Sequence, residues 1–296
     1  MTPTVQSIVV GFLVLLVLFR LMEMLRPRHE RLPILRQGFW TDLVYWAFTP
    51  LVTRVVTRFC VVVALVPIAF ALYGTVDRDT FLNGYGPLSK LPLWAQGLGI
   101  LIVGDFAGYW MHRAFHGLRL WKFHAVHHSS VEVDWLSAVR LHPVNDVVMR
   151  IAGAVPVLLL GFAPLALAGA VPILTFIAIL VHAHVDWDWG PLRSLIASPR
   201  FHRWHHTDET EARDKNFAGL LPVWDILFGT YYMPKDRRPT SFGTETPVPP
   251  GLIGQLLFPF RERAGRRRLS SSGSECSERR TRFLISAVPR RSIRET

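Results

Sequence analysis

Between Arg150 and Asp186 the chain runs for 35 residues without an Asp, Glu, Lys or Arg. A run that long has few places to go except lipid. One crossing helix takes about 20 apolar residues, so this stretch is too long for one and long enough for two. "GFAP" at 161–164 marks the break, because Gly and Pro interrupt a helix. Three more uncharged stretches lie upstream: Met1–Phe19 with its flank to Leu25, Phe59–Val76 and Leu91–Gly104. No Lys or Arg precedes the first of these, so it lacks the basic start of a cleaved signal peptide and reads as a retained anchor. Half of all residues are apolar, as expected of a membrane protein.

These runs predict an all-α protein with five crossings. Arg26, Arg28, Arg31 and Arg36 follow the first run, which places that loop in the cytosol and the N-terminus outside. Counting from there, residues 112–146 and everything after 186 face the cytosol as a helical cap. Leu43–Thr53 reads as an additional interfacial or re-entrant helix. The expected organisation is membrane spans and loops over 1–92, a site-bearing domain over 93–240 that includes a 151–185 membrane hairpin, and a C-terminal segment over 241–296.

The net charge is +11, and residues 261–296, with eleven Arg against four Glu, supply +7 of it. A short Ser- and Arg-rich tail on a membrane protein reads as a disordered segment near an anionic leaflet, and nucleic acid is not an expected partner. The two cysteines, Cys60 in an apolar run and Cys276 in the tail, form no CxxC motif and no expected disulfide.

Of twelve histidines, eleven fall between 112 and 206. They come in boxes: "HRAFH" holds His112 and His116, "HAVHH" holds His124, His127 and His128, and "HRWHH" holds His202, His205 and His206. His142 in "RLHP" and His182 and His184 in "HAH" lie between them. On helices, separations of three and four residues put rings on one face. Each box can then present two or three imidazoles towards one point, and facing boxes can surround a pair of metal ions. Without metal, that many crowded imidazoles repel on protonation and each needs a separate partner when buried. His29, in the basic loop, and His184 read as ordinary polar residues. Asp105 precedes Tyr109, His112 and His116 by four, seven and eleven residues, so it shares their helical face. It is expected to orient a ligand imidazole.

Imidazole suits iron, zinc, copper and nickel alike, so the ligand type leaves the metal open. The boxes contain no HExxH of zinc proteases, no paired Glu-x-x-His of carboxylate-bridged di-iron bundles, no GxGxxG and no CxxCH. A centre built on neutral nitrogens is strongly cationic, and any electrons must come from another protein.

In "DFAGYWMHRAFH" (105–116), "KFHAVHHSS" (122–130), "RLHP" (140–143), "HAHVDW" (182–187) and "SPRFHRWHHTDETEARDKNFAGLLPVWDILFGTYYMP" (198–234), the chain resembles the fatty acid hydroxylase/sterol desaturase superfamily. The resemblance covers roughly residues 100–234. It implies two iron ions per chain, activation of O2 and oxidation of a lipid C–H bond by hydroxylation or desaturation; hydroxylation is the expected outcome because it needs only one correctly placed C–H bond. It also implies an external electron-donor protein and a fatty acyl, sterol-like or carotenoid substrate. Carried over by position, the implied ligands are His112, His116, His124, His127, His128, His182, His202, His205 and His206, with His142 as a further matching histidine. Two positions depart from the family pattern: His184 stands where relatives commonly show Asn, and Ala218 at the usual Gly after Asn216 and Phe217. A carotenoid hydroxylase is the nearest alternative, and a membrane metal transporter or store is the alternative from another class. Transporter ligands usually lie inside spans, whereas Lys122, Arg200 and Arg203 flank these boxes.

Overall fold

A computed structural model describes residues 4–25, 32–74, 77–117, 119–167 and 171–261, and the expected disordered tail lies outside them. The described residues form helices and short turns, with no β-strand among them. α1 (Val5–Leu25) is followed by α2 (Phe39–Phe48), α3 (Arg54–Tyr73) and the short α4 (Arg78–Asn83). The next four, α5 (Leu93–Phe115), α6 (Trp121–His128), α7 (Pro143–Leu159) and α8 (Val171–Leu180), lead to the last box on α9 (Pro199–His206). α10 (Val223–Leu227) and α11 (Leu252–Leu257) close the described chain.

α2 and α3 differ from the expected pair, a short interfacial helix and a separate span. They form one 35-residue helical course, Phe39–Tyr73, joined by a π-helical turn at Thr49–Thr53. Pro50 has no N–H to donate, and the wider turn absorbs the gap without breaking the helix: the Arg54 N–H reaches back to the Thr49 carbonyl. Among the described residues, this course and α1 are the two helices long and apolar enough to cross a membrane by length and composition. Only 11% and 17% of their most apolar windows are buried inside the protein. Val9, Leu13, Val17, Phe59, Val63 and Phe70 are all exposed. Uncovered apolar surface on this scale suits lipid.

The uncharged run after Arg150 breaks where the sequence places the break. α7 ends at Leu159 and Gly161 turns at φ +76°. α7 begins at Pro143, earlier than the hairpin's predicted start, and α8 has ten residues, about half of what a full crossing takes. α7 packs between α3 and α5, and Tyr73 of α3 donates its hydroxyl to the Leu158 carbonyl at 2.8 Å. The turn meets the 84–86 loop, where the Tyr85 N–H donates to the Gly161 carbonyl at 2.9 Å and the Tyr85 ring stacks on Tyr73 at 3.8 Å.

A separate apolar cluster joins Phe19 of α1, Phe39 of α2, Ile179 of α8 and the 3-10 turn Trp135–Val139. Phe19 stacks on Trp135 with ring centres 5.4 Å apart. Asp134 caps that turn, accepting the Leu136 and Ser137 N–H groups. The cluster thereby joins α1 and α2 to α8 and to the turn that follows α6.

A Cβ at Gly161 would stand 1.8 Å from the Tyr85 carbonyl oxygen, on a backbone already at positive φ, whereas one at Gly153 in α7 meets nothing within 4 Å. Gly161→Ala is therefore expected to lower the unfolding free energy in detergent by at least about 2 kcal/mol. Gly153→Ala is expected to be neutral or to stabilise by up to about 1 kcal/mol. Equal effects of the two changes in thermal or denaturant unfolding would contradict this packing.

Candidate metal centre

The ordered boxes become two groups of imidazoles. His112, His116, His124, His128 and His205 form one, and His127, His182, His202 and His206 the other; within each group one nitrogen per ring lies within 4.8 Å of the others. The nine histidines implied by the resemblance are therefore brought together. His142 is outside both groups: its Nδ1 accepts the Val144 N–H at the start of α7, and its Nε2 lies 3.2 Å from the Leu256 carbonyl.

The boxes do not each aim at one point, as their spacing alone suggested. On α6, His124 and His128, one helical turn apart, enter the first group while His127 between them enters the second. On α9 the pattern is exchanged: His202 and His206 enter the second group and His205 the first. An i, i+4 pair and the intervening i+3 residue point in different directions from a helix, with i+3 about 60° from the first and about 100° from the last. Two short helices with the same HxxHH pattern thus cross-supply both groups. Ser198 starts α9 by accepting the Phe201 N–H at 3.1 Å, and Pro199 occupies the first helical position, where its missing N–H costs nothing.

Outer hydrogen bonds fix the rings. Nδ1 lies 2.7 Å from the Phe217 carbonyl in His112, 3.0 Å from the Arg140 carbonyl in His127, 2.8 Å from the Ala178 carbonyl in His182 and 2.9 Å from the Lys215 carbonyl in His205. In His124 it faces Asn145 Oδ1 at 2.8 Å, and in His116 Asp214 Oδ1 at 3.2 Å. A carbonyl or carboxylate only accepts, so these six rings carry the proton on Nδ1 and a lone pair on Nε2. Those lone pairs converge: His112 and His124 stand 2.9 Å apart at Nε2, and His127 and His182 3.2 Å. His116 Nε2 is buried with no hydrogen-bond partner.

Two facing lone pairs repel, and a shared cation removes the repulsion. Two nitrogens each about 2.1 Å from one cation, at right angles, lie about 3 Å apart. The residues present fit a metal in each group. Burial, the largest influence, holds His124, His127, His128, His202, His205 and His206 well below the ordinary histidine range and His112 at about 3. The rings stay neutral at physiological pH, the form in which imidazole ligates.

The supporting shell is where spacing misleads. Asp105 does not hold an imidazole: it accepts the N–H groups of Leu220 and Leu221 at 2.9 Å each and the Trp224 indole at 3.1 Å. Asn145, Asp214 and the Arg140 carbonyl take the orienting role. Arg140 is itself locked by Asp42 of α2, its Nε donating at 2.5 Å; Arg36 donates to the same carboxylate at 2.7 Å and pairs with Asp134. Asp214 and Asn145 stood within or beside the boxes, but the residues they bind are 98 and 21 positions away, and no local period reports that.

Residues 97–230 match the fatty acid hydroxylase family. Ornithine lipid hydroxylase OlsE of Rhizobium tropici is 36% identical over 57% of this chain and 51% of its own length. Alkylglycerol monooxygenase of Danio rerio is 32% identical over 52% and 34%. A very-long-chain aldehyde decarbonylase of Oryza sativa subsp. indica is 26% identical over 49% and 25%. The chain spans about half or less of the length of these curated relatives. No solved structure matches it.

Adjacent residues of one box serve different groups, which gives a direct prediction. His127→Ala and His128→Ala should each lower metal content measured by elemental analysis, and the losses should add in the double variant because they fall on different ions. A double variant no poorer in metal than either single one would mean that both residues serve one site.

Proposed function

Because the chain belongs to the fatty acid hydroxylase superfamily, we propose that it is a membrane-bound di-iron oxygenase that hydroxylates a lipid. The observation that carries this reading is the convergence of nine neutral imidazoles on two points, with six of the rings fixed in the tautomer that turns Nε2 inward. The first group would hold one iron through His112, His116, His124, His128 and His205, and the second the other through His127, His182, His202 and His206. Iron held in these positions would supply O2 activation. The balance of the reaction is one C–H bond, one O2, two electrons and two protons converted to one C–OH and one water, with the electrons delivered by a separate donor protein.

The chain's own part is to hold, orient and exclude. Carbonyls of α8 and of the Lys215–Phe217 segment keep Nδ1 protonated. Apolar side chains, Phe115 and Phe217 among them, are fully buried beside the rings. α5 supports a substrate arriving from the membrane: Leu98, Ile102, Phe106 and Trp110 are exposed at four-residue intervals on the helix that ends in His112 and His116. A lipid chain lying along this stripe would have its length in apolar surroundings. The names of the relatives support a lipid of the polar-headed kind, such as an ornithine lipid or an alkylglycerol. The positions of Arg26, Arg28, Arg31 and Arg36 after the first apolar run support a centre on the cytosolic side.

One assay addresses both reaction and orientation. Turnover under ¹⁸O2 in sealed vesicles, with an impermeant reductase and donor added outside, is expected to place label in a hydroxylated lipid. It is expected only where the cytosolic face points outward. An unlabelled alkene would replace hydroxylation by desaturation, and turnover in the opposite vesicle orientation would overturn the topology.

A further inference from the structure

One stretch of four residues serves three of the five imidazoles in the first group. Asp214 Oδ1 faces His116, the Lys215 carbonyl faces His205 and the Phe217 carbonyl faces His112, at 3.2, 2.9 and 2.7 Å. Aiming acceptors from near-consecutive residues at one cluster requires the chain to fold back sharply. Asp214 and Asn216 accordingly sit in the left-handed region, at φ 57° and 58°, which Asn and Asp tolerate better than other residues with a side chain.

Two buried side chains hold this shape. Asn216 donates from Nδ2 to the Phe201 and Tyr232 carbonyls at 2.9 and 2.8 Å, and its Oδ1 accepts the Tyr232 N–H at 2.7 Å. Asp225 accepts the Phe217 N–H at 2.7 Å, the Ala218 N–H at 2.9 Å and the Thr230 hydroxyl at 2.6 Å. Both residues are wholly buried. The second group takes its orienting carbonyls from elsewhere, Arg140 for His127 and Ala178 for His182. Among the six Nδ1 acceptors, Asp214 alone is a carboxylate, and a carboxylate partner strengthens the ring as a metal donor.

We propose that Asp214–Phe217 is a positioning segment for the five-imidazole group alone, set by Asn216 and Asp225, so that the two metal positions are tuned by separate parts of the chain. This rests on the two-metal reading. Asn216 and Asp225 touch no metal-facing nitrogen; they act by fixing which way the segment's acceptors point. Asp225→Asn keeps the size of the side chain but turns an amide N–H2 towards a backbone N–H that it must accept. Asn216→Asp keeps the left-handed tolerance and removes both Nδ2 donors.

The test is metal content per chain in full-length protein loaded with ferrous iron under reducing conditions and desalted. The wild type should hold about two ions, and Asp225→Asn and Asn216→Asp about one each. Combined with His112→Ala, Asp225→Asn should leave that value unchanged, because both changes empty the first group. Combined with His202→Ala it should leave almost none, because the two changes then empty different groups. Retention of two ions in both single variants overturns the proposal, and so does loss of both ions in both, whether or not the helical circular dichroism persists. A wild type that binds no metal fails the metal reading itself; a wild type with two ions and variants without selective loss fails the positioning role alone.

Discussion

His112 and His124 donate Nδ1–H to oxygen and face each other through Nε2 at 2.9 Å, and His127 and His182 repeat the arrangement at 3.2 Å. Lone pairs pressed together in a buried pocket are unfavourable unless a positive charge lies between them. A proton is a poor answer, since burial holds these rings below their ordinary range. The fold around the cluster is a means of maintaining that arrangement. Helix α5 with its cap, α6 and α9 bring eight of the rings and the segment after α8 brings His182, and oxygens outside them fix the tautomer of six. A network of buried ion pairs holds one of those carbonyls, that of Arg140, in place.

The ion pairs connect the long apolar helical course Phe39–Tyr73 to the residues around the imidazoles. Asp42 lies on α2, at the head of the long apolar course Phe39–Tyr73, and its carboxylate holds both Arg36 and Arg140. Arg140 in turn presents its carbonyl to His127. Buried charges paired in this way need not add to stability, because taking them out of water costs as much as their attraction returns. Breaking one partner leaves the other buried and unpaired, so the network fixes one arrangement. On the other side of the cluster, Arg200 of α9 grips Asp186 through two nitrogens, at 2.7 and 2.9 Å, and Asp188 at 2.8 Å. α9 is thus braced at the end where it begins.

Much of this was legible in the sequence because metal ligation imposes local spacing. The HxxxH and HxxHH boxes named eight of the nine converging histidines, with His182 of "HAH" the ninth, and "GFAP" named the turn at Gly161. What was not legible depended on contacts distant in the chain. Spacing alone could not show that His127 parts from His124 and His128, since that depends on where α9 lies across from α6. Asp105 shares a helical face with His112, yet its oxygens are taken by Leu220 and Leu221 N–H groups from more than 100 residues away. His142 matches a family histidine but sits one residue before Pro143, where its side chain caps α7. The continuous helix Phe39–Tyr73 was not legible because Arg54 and Arg58 divide its uncharged runs, and a π-helical turn at Thr49–Thr53 is a rare way to carry a helix through Pro50.

The central claim is that the two imidazole groups are two all-nitrogen metal positions. X-ray absorption at the iron edge, on protein purified anaerobically in detergent and quantified for iron, addresses it most directly. The account predicts about two irons per chain, a first shell of nitrogen or oxygen at about 2.1 Å, and the outer-shell scattering of several imidazole rings per iron. A sulfur shell, or iron bound without imidazole scattering, would contradict it.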